Sequence, residues 1–156
     1  MAEATAPEQQ EAQVEFNIQK IYTQDTSFES PNTPSMFKGE WKPEANIELN
    51  TNSEKLDDNN HNVDLTVTVT AKNDGKTAFI IEVKQSGIFS IGGTEEAQLG
   101  HILGSFCPSI LFPYARAAIA NLISRGGFPE LQLSPINFDA LYAQSLEEQA
   151  KQETKH

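Results

Sequence analysis

Hydrophobic and polar residues alternate through the first part of the chain and then change period. Val63, Leu65, Val67 and Val69 are interleaved with Asp64, Thr66, Thr68 and Thr70; the stretch KNDGK (72–76) follows, and Phe79, Ile81 and Val83 resume the alternation. Apolar β-branched residues at every second position, interrupted by an Asn-Asp-Gly turn signal, predict a β-hairpin with one buried face. The other face of its second arm reads Ala78, Ile80, Glu82 and Lys84, so Ile80 puts a bulky apolar side chain where a solvated one is expected. Val14, Phe16 and Ile18 predict an earlier strand, and Ile21 and Tyr22 shift its phase as a bulge would. Ala45, Ile47 and Leu49 predict a short further strand, followed by the polar NTNSEKLDDNNHN (50–62), which reads as an exposed connection. Between these strands, residues 23–44 contain Pro31, Pro34 and Pro43 and read as a long irregular connection, yet they carry Phe28, Met36, Phe37 and Trp41.

After Gly92 and Gly93 the period becomes helical. Thr94 is placed to cap the first helix, Glu95 and Glu96 complement the positive end of its dipole, and Leu99, Ile102, Leu103 and Phe106 form one stripe. After Cys107-Pro108 comes SILFPYARAAIANLISRGG (109–127), where Pro113 can sit in a first turn or kink the helix and Gly126 ends it. Between Tyr114 and Ile123 only Arg116 and Asn121 are strongly polar, so this second helix needs walls on several sides. Its alanines allow close approach of a second copy of the chain, and a homo-oligomer built around this helix is expected. A last helix starts at Asn137, with Ile136 and Leu141 spaced as a hydrophobic staple, and presents Phe138, Leu141, Tyr142 and Leu146 on one side. Strands first and helices second predict an α+β fold with an antiparallel sheet. Residues 1–13 and 147–156 hold almost nothing large to bury and read as mobile tails around a domain at 14–146.

Composition narrows the function. The 22 acidic residues against 11 basic ones give a net charge of −11, which disfavours nucleic acid as a partner, since a polyanion would gain no counterion release. The one cysteine, Cys107, allows no intramolecular disulfide and suits a reducing, cytoplasmic setting. The acidic start lacks a secretory signal, and the sequence pattern offers no uninterrupted apolar run of membrane-spanning length. His61, His101 and His156 have no metal-ligand spacing, and the run at Asp57 and Asp58 lacks the spacing of a calcium loop. The glycines of GIFSIGG (87–93) fit a strand-to-helix turn better than a phosphate cradle, because the Lys-Ser/Thr pair of a P-loop is missing. No metal, nucleotide or other cofactor is expected, and no catalytic constellation is recognised; Cys107 as a nucleophile with His101 as base would lack an orienting third group. Two features instead ask for partners. The aromatic connection and the last helix could form an apolar groove for extended polypeptide, and Ile80 beside Glu82 suggests an acidic docking patch with an apolar centre.

Four segments, IYTQDTSFESPNTP (21–34), GIFSIGG (87–93), CPSILFPYARAAI (107–119) and SRGGFPELQLSPINFDALY (124–142), closely resemble the SecB protein-export chaperones in order and spacing, over roughly residues 14–146. The resemblance implies a four-stranded antiparallel sheet with two principal helices, assembled as a homotetramer, a dimer of dimers. It implies an ATP-independent, non-enzymatic chaperone that binds unfolded secretory precursors and hands them to the SecA motor, with no insertion of its own into the membrane. Residue by residue, Asp25, Glu29, Ile80 and Glu82 match the family's motor-docking face; the family's client groove, formed by the crossover loop, neighbouring strand and last helix, is assigned here to Phe28, Phe37, Trp41, Ile47, Leu49, Leu141 and Tyr142, with closure over the core as the alternative role for some of them. Tyr114, Ala115, Ala118, Ile119 and Leu122 are the expected oligomer contacts. The chain departs from its relatives after the last helix, where KQETKH is shorter than the usual tail and puts a second motor contact in doubt. A chaperone dedicated to one partner, such as an antitoxin, is the competing expectation.

Overall fold

The alternation around KNDGK builds the hairpin it predicts, in a computed structural model that describes residues 13–154. Asp74 and Gly75 both take positive φ, 54° and 75°, the geometry of a two-residue turn whose twist matches that of the flanking strands and which glycine adopts without cost. The four strands are β1 (Glu15–Glu29), β2 (Pro43–Lys55), β3 (Asn60–Asn73) and β4 (Lys76–Gly92). They pair in the order β1-β4-β3-β2, antiparallel throughout. The fold is the α+β arrangement expected, a four-stranded antiparallel sheet with two principal helices.

Three strands are longer than the alternation suggests. β1 runs to Glu29 because its register slips between Ile18 and Lys20 and again between Thr23 and Asp25. Each slip leaves one glutamine unpaired, so Phe16, Ile21 and Phe28 all reach the inner face although their spacing is irregular. The phase shift expected near Ile21 is the first of these. β2 continues through Lys55, six residues past Leu49, into the segment expected to be a connection. GIFSIGG is mostly strand, since β4 reaches Gly92.

The connection from β1 to β2 carries the chain from one edge of the sheet to the other. It is tied to the end of the β3–β4 hairpin: Ser30 Oγ donates to Ala78 O at 3.0 Å, Asn32 Nδ2 to Thr77 O at 2.9 Å, and the Lys42 amide to Asn73 Oδ1 at 2.9 Å. Met36 is buried beneath it.

Pro113 lies inside the helix and does not start a new one. α1 (Glu96–His101), a single wide π turn (Ile102–Phe106) and α2 (Cys107–Arg125) run on as one helix. Proline has no N–H to give and its ring crowds the preceding turn; the wide turn, closed by the Cys107 amide on Ile102 O, takes up the extra residue just before Pro108. The N-cap of α1 is Glu95 without a side-chain bond, not Thr94. By length and composition alone the joined helix of 30 residues could cross a membrane. In the fold it is a core helix, with Leu111, Ala115, Ile119 and Ile123 fully buried across β3 and β4.

α2 ends as expected at Gly126, its C-cap; the next residue, Gly127, has φ 85°, and the Phe128 amide reaches back to Ile123 O at 3.2 Å. This glycine-dependent stop turns the chain and returns Phe128 to the core. α3 (Phe138–Glu153) starts as expected, with Asn137 Oδ1 accepting from the Ala140 amide at 3.0 Å. It stays helical past Leu146, through most of the segment expected to be a mobile tail. The first twelve residues of the expected N-terminal tail lie outside those described.

Candidate functional site: an open, polar-rimmed cleft and an acidic sheet face

Strand register decides which side chains meet. On the inner face, which the long helix covers, Phe28 stands opposite Ile81, Ile81 opposite Val69, and Val69 opposite Ile47; one step along, Val83 and Val67 lead to Leu49. β3 and β4 are therefore buried under the helix, whereas Ile47 and Leu49, on the edge strand, lie at the margin of its cover. Ile47 is 37% exposed and Leu49 half-buried.

The seven residues expected to form one groove fall into two places. Phe28, Phe37 and Trp41 gather around Phe128, whose ring centroid lies 6.5, 5.1 and 5.5 Å from theirs and 5.1 Å from that of the fully buried Phe79. Ring separations of this size in tilted geometry are favourable aromatic contacts. Only Phe37, at the rim, is largely exposed. Phe128 is the hub of this cluster and was not among the expected residues. The signal for it was the Gly-Gly-Phe string, since a large apolar residue just after a helix-ending glycine regularly folds back onto the last turn.

Ile47, Leu49, Leu141 and Tyr142 meet elsewhere. With Phe138 and Gly104 they line a cleft of 540 Å³ between β2 and α3, and Asn50, Gln144 and Glu148 form part of its polar rim. Phe138 fixes the start of α3 by packing edge-on against Phe112, centroids 5.8 Å apart, and Leu141 remains 41% exposed. The cleft presents apolar side chains beside an open strand edge, which is chemistry suited to an extended polypeptide.

α3 is held to the long helix by a polar cluster. Asp139 Oδ1 accepts from Ser105 Oγ and contacts His101 Nε2 at 2.8 Å. These two contacts hold the Asp139 carboxyl below its ordinary value. Serine, histidine and aspartate are the residue types of a hydrolytic triad, but here the hydroxyl donates to the carboxylate, while a nucleophile would need the imidazole as its base. Cys107 is fully buried, and burial pushes its thiol up to about 12, so it stays protonated and inert near neutrality. Among the described residues no group of three or more histidine, cysteine or acidic side chains is placed to hold a metal ion.

The outer face of the sheet is different in character. Glu29 pairs with Ile80, Ser27 with Glu82 and Asp25 with Lys84, so the four expected docking residues share one surface on two adjacent strands. Thr68 stands between Glu82 and Glu48 of β2 and carries the acidic row to the far edge. Further along the same face a buried polar network takes over: Tyr22 Oη donates to Asn62 Oδ1 at 2.5 Å, Asn62 Nδ2 to Asp64 Oδ1 at 2.9 Å, and Ser86 Oγ to the same oxygen at 2.5 Å. This network was also missed, because its members sit at solvated positions of the alternation.

The residues expected at contacts between copies differ in exposure. Ala115 and Ile119 are completely buried within the chain's own core. Tyr114 is 51% exposed, and Ala118 and Leu122 are partly so. Phe106, 47% exposed, and the partly buried Ile110 continue the accessible side toward the wide turn.

The sequence pattern of the family described as preprotein translocase subunit SecB matches residues 9–149. Among solved structures, the chain is similar to a SecB-like chaperone from Mycobacterium tuberculosis, solved in complex with a peptide from an antitoxin. The two share 17% identity with a TM-score of 0.63, over 78% of this chain and 90% of that one. It is also similar to a protein of unknown function from Streptococcus agalactiae, at 14% identity and a TM-score of 0.48, over 79% of this chain and 99% of that one.

Proposed function

Because the chain belongs to the SecB family, we propose that it is an ATP-independent chaperone that binds unfolded secretory precursors in the cytoplasm and delivers them to the SecA motor. The observation that carries this reading is the separation of two surfaces: a polar-rimmed cleft with apolar side chains at Ile47, Leu49 and Leu141 on one side of the sheet, and an acidic row around Ile80 and Glu82 on the other. An unfolded chain offers apolar side chains and unpaired backbone, which the cleft and the neighbouring edge strand can cover. Several such clefts in a homotetramer would engage one client at once, and each added contact becomes intramolecular. Tyr114 and the accessible side of the long helix are the natural place for contacts between copies. The acidic face stays free for a partner carrying basic groups, and its charge acts mainly on encounter and orientation.

Native mass spectrometry of the protein, alone and with a reduced, unfolded precursor, tests this. A tetramer that takes up the unfolded chain without nucleotide and ignores its folded form supports the reading; a monomer, or indifference to unfolded chains, overturns it. The relative solved with an antitoxin peptide supplies the competing reading, a chaperone dedicated to one partner. That reading gains if one peptide binds tightly and unrelated unfolded chains do not. Glu82→Lys then divides the two surfaces: motor binding should fall about tenfold or more while client binding and assembly are unchanged.

A further inference from the structure

α3 closes one side of the cleft; it packs chiefly on the wide turn, with Phe138 against Phe112, and the sheet gives it no broad support. What holds it there is specific. One side of the Tyr142 ring lies against the helix at Gly104, where an added Cβ would come within 2.6 Å of two ring carbons, and its hydroxyl lies over Gly100, 3.0 Å from an added Cβ. The His101 ring meets Tyr142 edge-on, centroids 5.7 Å apart. One turn earlier on α3, Asp139 is bound by Ser105 and His101. Two glycines one turn apart and a π turn all weaken a helix, and here they coincide where α3 must lie close. The twelve-residue connection before α3 (126–137) is anchored in the core by Phe128 and Leu133, and after Leu133 it is exposed at Ser134, Pro135 and Asn137, so the helix can swing about this last stretch if its seat is lost.

We propose that Tyr142 on the Gly100–Gly104 seat, together with Asp139 between Ser105 and His101, forms a latch that keeps α3 closed on the cleft and sets how readily a polypeptide reaches Ile47 and Leu49. The second half of this statement rests on the chaperone reading; the first does not. Gly100 and Gly104 are then positioning residues, acting through Tyr142. A latch of this kind differs from ordinary core packing because its release leaves the sheet and the long helix intact.

The test compares the full-length protein with Gly104→Ala, Tyr142→Ala, the double variant and Asp139→Asn. Amide hydrogen exchange reads α3 and the β3–β4 core separately, and stopped-flow mixing with a reduced, unfolded test protein reads association. Gly104→Ala should speed exchange in residues 138–146 about tenfold without changing β3 and β4. It should raise the association rate about threefold. In the Tyr142→Ala background the same alanine should have no further effect, because the ring it displaces is gone. Asp139→Asn should act in the same direction, more weakly. Unchanged α3 exchange in Gly104→Ala, or an equal effect of that alanine with and without the ring, overturns the latch. Faster exchange with unchanged association overturns its control of access. If the wild-type protein takes up no unfolded chain, the chaperone reading falls, and the exchange comparison still decides the latch.

Discussion

The inner face of the sheet carries two apolar regions that are alike in residue type and unlike in closure. Around Phe128, rings from β1, β4 and the edge-to-edge connection converge on a side chain that the end of α2 drives into their midst, and only Phe37 is left largely open. Around Ile47 and Leu49 the third wall is α3, which stands off and leaves a cleft. Whether an apolar patch becomes core or binding surface is thus decided by how the covering segment is attached. The Phe128 wall is continuous with the helix end and bonded to it, whereas the α3 wall arrives through a connection and rests on a glycine seat.

The sharpest way to break this contrast is to treat both regions alike. Phe128→Ala empties the centre of a packed cluster and should cost about 3–5 kcal/mol of stability, measured by urea unfolding. Leu141→Ser, on the open side, should change stability by no more than about 1 kcal/mol. Its effect should appear in binding, with client affinity reduced about tenfold, or about 1.4 kcal/mol, by fluorescence titration with an unfolded precursor. Equal stability losses at the two positions would mean that the cleft is core after all. The smallest effect sharpens the difference by acid. Asp139 is held below its ordinary carboxylate value of 3.8 by Ser105 and His101. A lowered native value means that its contribution is complete above the unfolded value and is lost as pH falls through the native one. Acid titration followed by hydrogen exchange should therefore release α3 below about pH 4 before the Phe128 cluster loosens, and Asp139→Asn should abolish that component.

Legibility in the sequence followed burial. The hairpin was plain because β3 and β4 bury one face and carry Thr66, Thr68 and Thr70 on β3 and Glu82 and Lys84 on β4 on the other, so the alternation is nearly complete. The outer half of β2 was not: Asn50–Lys55 are exposed and polar on both faces, and nothing in NTNSEK distinguishes a strand paired with β3 from a turn. The π turn before Pro108 left no trace for a different reason, since it depends on backbone hydrogen bonds that no side-chain pattern records. The types of the groove residues were readable, but their division into two sites was not, because it turns on Phe128 and on the resting place of α3. Ile80 and Glu82 are two apart on one strand and announce a shared face. Their union with Asp25 and Glu29 passes through two bulges in β1, and only the family resemblance placed them together.

The edge-to-edge connection also has a consequence for the order of events when the chain first folds. β2, β3 and β4 form a meander in which each strand finds its neighbour in sequence, whereas β1 must wait for β4: Thr23 and Gln85, joined across that seam, are 62 positions apart. Contacts of long sequence separation pay their loop-closure entropy last. β1 is thus expected to join late, and until it does the edge of β4 and the underside of the aromatic cluster stay bare. For that interval the nascent protein displays the same sticky surface that its mature form is proposed to shield in others.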